Sequence, residues 1–253
     1  MALKLDMKRS LNMHDIFEIY RFEIFVQKKR YLIITILSLI IYNIYAILLT
    51  LVPPKDAVVF VANATSSGSI VLLLALFFAG GILADEFNKR TALTNFTKTR
   101  RDNFFIGKSL AAFTSVLVWI GPMLLETFFF CLILYQQVPV ELFYWFGYHC
   151  LAGGMFVSIY LAHSAIFRSG SLAMMMSFVS IIASSIAFGI FGAFFGLWHL
   201  FPIYAEVAAI AIFSGPTNDG MMIIDVRLGI PMMLCYLVSC IVIAYLRFRT
   251  RDV

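Results

Sequence analysis

Charge is scarce in this chain. Only 13% of its 253 residues are Asp, Glu, Lys or Arg, and 62% are hydrophobic. That is about half the charged share of an ordinary soluble domain, so a bilayer is the expected solvent for most of the molecule. The four cysteines (Cys131, Cys150, Cys235 and Cys240) form no CxxC pair and no disulfide framework. His14, His149, His163 and His199 are scattered, without HExxH or paired spacing, so no metal site is expected. Gly107-Lys108-Ser109 ends like a phosphate-binding loop, but the first glycine of GxxxxGK[ST] would fall at Asp102. The chain therefore lacks an ATP site of its own. No Ser/His/Asp set follows from spacing, so neither a cofactor nor an enzymatic activity is expected, and a net charge of only +5 does not point to nucleic acid. The first 30 residues are charged and lack an apolar h-region, so no cleavable signal peptide is expected.

What the chain does have is long apolar runs. They predict an all-α integral membrane protein with six spans, at 31–52, 67–83, 104–135, 142–167, 171–198 and 228–246. Asn43 lies near the middle of the first and is expected to make an interhelical hydrogen bond. Pro53-Pro54 ends that span, and Gly121-Pro122 predicts a kink in the third. Residues 1–30 place Met13, Ile16, Phe17, Tyr20 and Ile24 on one helical stripe, with Phe22 and Phe25 off it. The pattern predicts an amphipathic helix in the membrane interface, and Lys28–Arg30 mark the entry to the bilayer.

The lysines and arginines orient these spans. With both termini cytoplasmic, the inner segments hold 17 of the 19, and the outer loops keep only Lys55 and Arg227. This asymmetry predicts N-in, C-in. Between the fifth and sixth spans, residues 199–227 contain an apolar run too short to cross, which predicts a re-entrant or interfacial helix at the outer face, carrying Glu206. Ser185, Gly189, Gly192 and Gly196 share one small-residue face of the fifth span, suited to close helix packing. Gly154, Ser158, Ala162 and Ala165 do the same in the fourth. Glu126 is the one acid placed well inside a span, and an intramembrane carboxylate is a functional candidate by default.

The longest polar interval between apolar spans is residues 84–103, a cytoplasmic loop bounded by Asp85-Glu86 and Arg101. Within it Leu93 and Phe96 form an apolar knob among charges, the pattern of a short amphipathic docking helix. The run Asp85-Glu86 … Thr91 … Thr97 … Arg101 … Gly107-Lys108 resembles the first cytoplasmic loop of ABC-2 type transporter permeases. Arg90 stands where that family usually has Gly, and no proline precedes Arg101. The resemblance implies a permease subunit in the cell membrane, paired with a second copy or a homologue. Separate ATP-binding cassette ATPase subunits would dock on a coupling helix in this loop, at Asp85, Glu86, Arg90, Thr91, Leu93, Phe96 and Arg101. A different class of reading is a non-transporting accessory subunit of a larger membrane complex.

Overall fold

In a bilayer the backbone must satisfy its own hydrogen bonds, so long apolar runs become helices. A computed structural model describes residues 12–51, 54, 56–65, 76, 79–88, 100–215, 217–218 and 223–251, and these are almost wholly helical. The elements are α1 (Met13–Leu51), α2 (Ala57–Thr65), α3 (Ala84–Asn88), α4 (Arg101–Tyr135), α5 (Glu141–Ile166), α6 (Gly170–Phe195), α7 (Tyr204–Ser214) and α8 (Val226–Thr250). A single 3-10 turn covers Trp198–Leu200. A two-residue antiparallel ribbon, β1 (Thr217–Asn218) with β2 (Ile223–Ile224), precedes α8. Four of the described helices, α4, α5, α6 and α8, are long and apolar enough to cross a membrane. Most of the expected second span lies outside the described residues.

α5 is the central helix. It is apolar on every side, the pattern of a buried rather than an amphipathic helix. Its small residues let two neighbours approach closely. A Cβ on Gly153 would lie 2.6 Å from Val116 of α4, and one on Gly154 would lie 3.4 Å from Leu237 of α8. Gly154, Ser158, Ala162 and Ala165, the small residues expected to share a face, are all buried. At one end of the bundle, Phe104 and Phe105 of α4 meet Phe248 of α8 at ring distances of 6.2 and 5.7 Å. At the other end Phe60 of α2 packs on Phe130 and Tyr135, and the Tyr135 hydroxyl donates to Pro54 O at 2.8 Å. The sequence reading treated this stretch as plain outer loop and missed α2. Pro122 lies inside α4, which continues as helix through it.

The interfacial helix and the first span form one unbroken helix. It follows α4 along its length. Asp15 accepts from Asn103, Ile19 lies against Gly107, and the Tyr31 hydroxyl donates to Ala111 O. Further on, Tyr42 hydrogen-bonds Thr127, and Asn43 Nδ2 donates to Glu126 Oε1 at 2.7 Å. The Lys28–Arg30 cluster on α1 is exposed.

α6 is peripheral, and Met175, Phe178, Ile182, Ile186 and Ile190 on it are exposed. α7 is only 11 residues long and does not cross. It packs between α5 and α8 through Tyr204, Ala205, Ala208 and Ala209, and its first residue is tied to the start of α8 by Asp225 N donating to the Tyr204 hydroxyl at 2.8 Å.

Candidate functional site

The end of the bundle where α4 and α6 begin and α5 and α8 finish carries a dense set of charges. Lys108, on the second turn of α4, is buried. It lies between two carboxylates, 2.9 Å from Glu23 of α1 and 2.8 Å from Glu86 of α3. Its third ligand is the carbonyl of Ile82 at 3.4 Å, and the Phe104 ring centroid lies 5.2 Å away. Gln27 donates to the other oxygen of Glu23. A buried ammonium is tolerable only when it is paired and hydrogen-bonded, and this one is.

The chain around Glu86 is pinned at two further points. Leu83 N and Ala84 N both donate to Ser164 Oγ of α5, at 2.9 and 3.0 Å. The Asp85 carboxylate rests directly on the Cα of Gly170, the first residue of α6, leaving no room for a side chain there. A carboxylate at a helix N-terminus is favoured by the helix dipole. Helix C-termini nearby receive cations. Arg101 Nη1 donates to Arg249 O and Arg251 O at the end of α8, at 3.0 and 2.9 Å. Arg251 donates in turn to Ala165 O and Phe167 O at the end of α5, at 3.1 and 3.0 Å. These guanidinium groups satisfy last-turn carbonyls that have no partner inside their own helix. Asp102 joins Arg100 (3.2 Å) and the Tyr245 hydroxyl (2.9 Å), and Asn103 reaches Asp15 of α1 at 3.3 Å.

The result is a frame of contacts that holds the described residues on either side of 89–99. Of the residues singled out there from sequence, Asp85, Glu86 and Arg101 belong to the frame and are engaged within the chain. Arg90, Thr91, Leu93 and Phe96 lie outside the described residues. Sequence reading missed Glu23 and Gln27. They continue the spacing of Ile16 and Tyr20 towards Tyr31, but the apolar stripe drew attention to Met13 and Phe17, which are exposed.

Glu126 and Asn43 form the expected interhelical hydrogen bond, and Asn43 also donates to Leu39 O at 2.8 Å. Glu126 Oε2 is buried with no partner among the described residues. Within the described chain the small residues of the α6 stripe have different surroundings. Ser185 and Gly189 are exposed, Gly192 seats the Trp198 indole, and Gly196 lies beyond the helix end in the left-handed conformation at φ 67°. The helix stops at Phe195 rather than at 198, because Gly196 caps it by donating its backbone N–H to Gly192 O. On the far side, burial pushes the Glu206 carboxyl up to about 7, and its Oε1 has no partner among the described residues. No group of three or more His, Cys, Asp or Glu suited to a metal occurs among the described residues.

No model of a known protein family matches the chain, and no curated protein matches it.

Proposed function

We propose that the protein is the membrane permease subunit of an ATP-binding cassette transporter. It would pair with a second copy or a homologue and be driven by separate ATPase subunits. Six spans would be supplied by the second half of α1, the 67–83 segment, α4, α5, α6 and α8. The first half of α1 would lie in the cytoplasmic interface, and α7 would be the outer re-entrant helix. Residues 84–103 would be the cytoplasmic coupling segment, with both termini on that side.

One observation carries the reading. The segment between Asn88 and Arg100 is bolted at both ends to the bundle, through Glu86–Lys108–Glu23 on one side and Arg101 with the ends of α8 and α5 on the other. A force that a docked partner delivers to those flanking residues would reach α1, α4, α5 and α8 through these contacts. Rigid-body motion driven by a partner's ATP-dependent shape requires such a connection.

The test is removal of the apolar knob by Leu93→Ala with Phe96→Ala, since a buried interface anchor commonly contributes more than about 1 kcal/mol. Membrane insertion should be unchanged, while co-purification and stimulation of the ATPase fall at least fivefold. Neutralising Lys98 and Arg100 should cost less. Full retention of ATPase binding and stimulation by the double variant overturns the docking role and favours an accessory subunit.

A further inference from the structure

Three features outside the charged end could bear a ligand: the Glu126–Asn43 pair, the outer Glu206, and a cleft along α6. Among the described residues the cleft offers space for one. It is a cavity of about 400 Å³ between α6 and the α5–α8 pair, closed at the outer end by the turn at Phe201–Ile203. Its walls run from Phe156 to His163 on α5 and from Ser180 to Ala187 on α6, each about 10 Å of helix. Ala183, on this wall, is exposed, so the cleft opens sideways past the peripheral helix. That direction faces the hydrocarbon if these helices span the bilayer.

The polar groups in the cleft specify more than its shape does. Ser177 Oγ donates its single proton to Ala173 O at 2.8 Å. Its 2.9 Å contact with His163 Nδ1 must therefore be donated by the histidine. His163 then carries its proton on Nδ1 and presents Nε2 as an acceptor, and no protein donor meets it among the described residues. Ser180 likewise spends its proton on Ser177 O at 2.8 Å and keeps its lone pairs. One turn further along α6, Ser184 Oγ has no partner among the described residues. None of the described residues lining the cleft is Asp, Glu, Lys or Arg. A free carboxylate or phosphate would enter without a counter-charge, at a desolvation cost such a site cannot recover. A hydrocarbon with no donor would leave the acceptors unpaired.

We propose that this cleft binds a neutral long-chain amphiphile from the bilayer, whose hydroxyl head donates a hydrogen bond to His163 Nε2. At roughly 30 Å³ per water-sized group, the volume holds about a dozen heavy atoms, enough for a glycerol ester head and the start of its chain. The proposal does not depend on the transport reading, because binding is measured on this chain alone.

The test is equilibrium binding of radiolabelled monooleoylglycerol to the purified protein in phosphatidylcholine nanodiscs. Saturable binding near one per chain is expected. Unlabelled methyl oleate, which lacks the donor, should compete about fivefold less well, the effect of one neutral hydrogen bond. Oleate at pH 9 and phosphatidylglycerol should compete more weakly still. In His163→Phe the advantage of monooleoylglycerol over methyl oleate should vanish. Ala187→Phe and Ala183→Phe, which put a ring into the cleft, should reduce binding at least tenfold at unchanged thermal stability. Non-saturable binding overturns the proposal. So does equal competition by methyl oleate or oleate on the wild-type protein, a result that requires no variant to fold.

Discussion

Lys108 shows how much can rest on one side chain. Its ammonium joins α1, α3 and α4 at a single point, because Glu23, Glu86 and the Ile82 carbonyl converge on it. Removing the cation leaves two carboxylates facing each other in a buried site. Lys108→Met should therefore destabilise the protein by about 3–5 kcal/mol, the usual cost of stranding one side of a buried ion pair. The triple variant Lys108→Met, Glu23→Gln, Glu86→Gln should recover much of that loss, because it strands no charge. Thermal unfolding in mild detergent measures both. A single variant as stable as wild type would mean that the three groups contribute little together. Lys108 stood out in the sequence only as part of Gly107-Lys108. Its partners were not legible, because Glu23 and Glu86 lie 85 and 22 residues away.

At the scale of elements, length and apolarity located α4, α5, α6 and α8 to within a few residues at most ends. The exceptions have local causes. α8 runs on to Thr250, and Arg101 donates to the carbonyls of Arg249 and Arg251 as it ends. α6 stops early at its glycine cap. α1 continues unbroken where a separate interfacial helix was expected, because nothing between residues 24 and 31 breaks a helix. Gly192 illustrates the difference between a pattern and its use. Its spacing suggested a helix-packing stripe, whereas the structure lays Trp198 against its Cα, with Phe188 edge-on to the indole at 5.0 Å. Gly192→Leu should therefore displace Trp198 and lower stability by about 1–3 kcal/mol through overpacking. Gly189→Leu, with open space around it, should be close to neutral. Intrinsic tryptophan fluorescence and thermal unfolding separate the two. Equal effects from both substitutions would restore the stripe as a single surface.

For the whole molecule, the fold separates its two ends by chemistry. Arg101, Lys108, Arg168 and Arg251 gather at one end, while Pro54, Tyr135, Tyr204 and Asp225 mark the other. Under the proposed orientation the first end is cytoplasmic. Cysteines introduced at Lys55 and Asp219 should then react with an impermeant thiol reagent on intact cells, whereas one at Lys98 should react only after permeabilisation. Labelling of Lys98 on intact cells would reverse the topology.

Composition and run length sufficed by themselves for an almost wholly helical chain with helices apolar enough to cross a membrane, and for the approximate bounds of those helices. These properties depend on transfer of whole segments from water, a sum over many residues that survives any detail of packing. Tertiary structure alone decided which polar groups meet. The Lys108 cluster, the arginine caps, Tyr204 on Asp225 and the cleft beside His163 all join side chains from different helices. Their partners are set by crossing angles and by the turn at which each helix ends. A spacing rule within one helix carries no information about the register of its neighbour. Glu23, buried against Lys108, is such a case: no spacing within α1 indicates its partner.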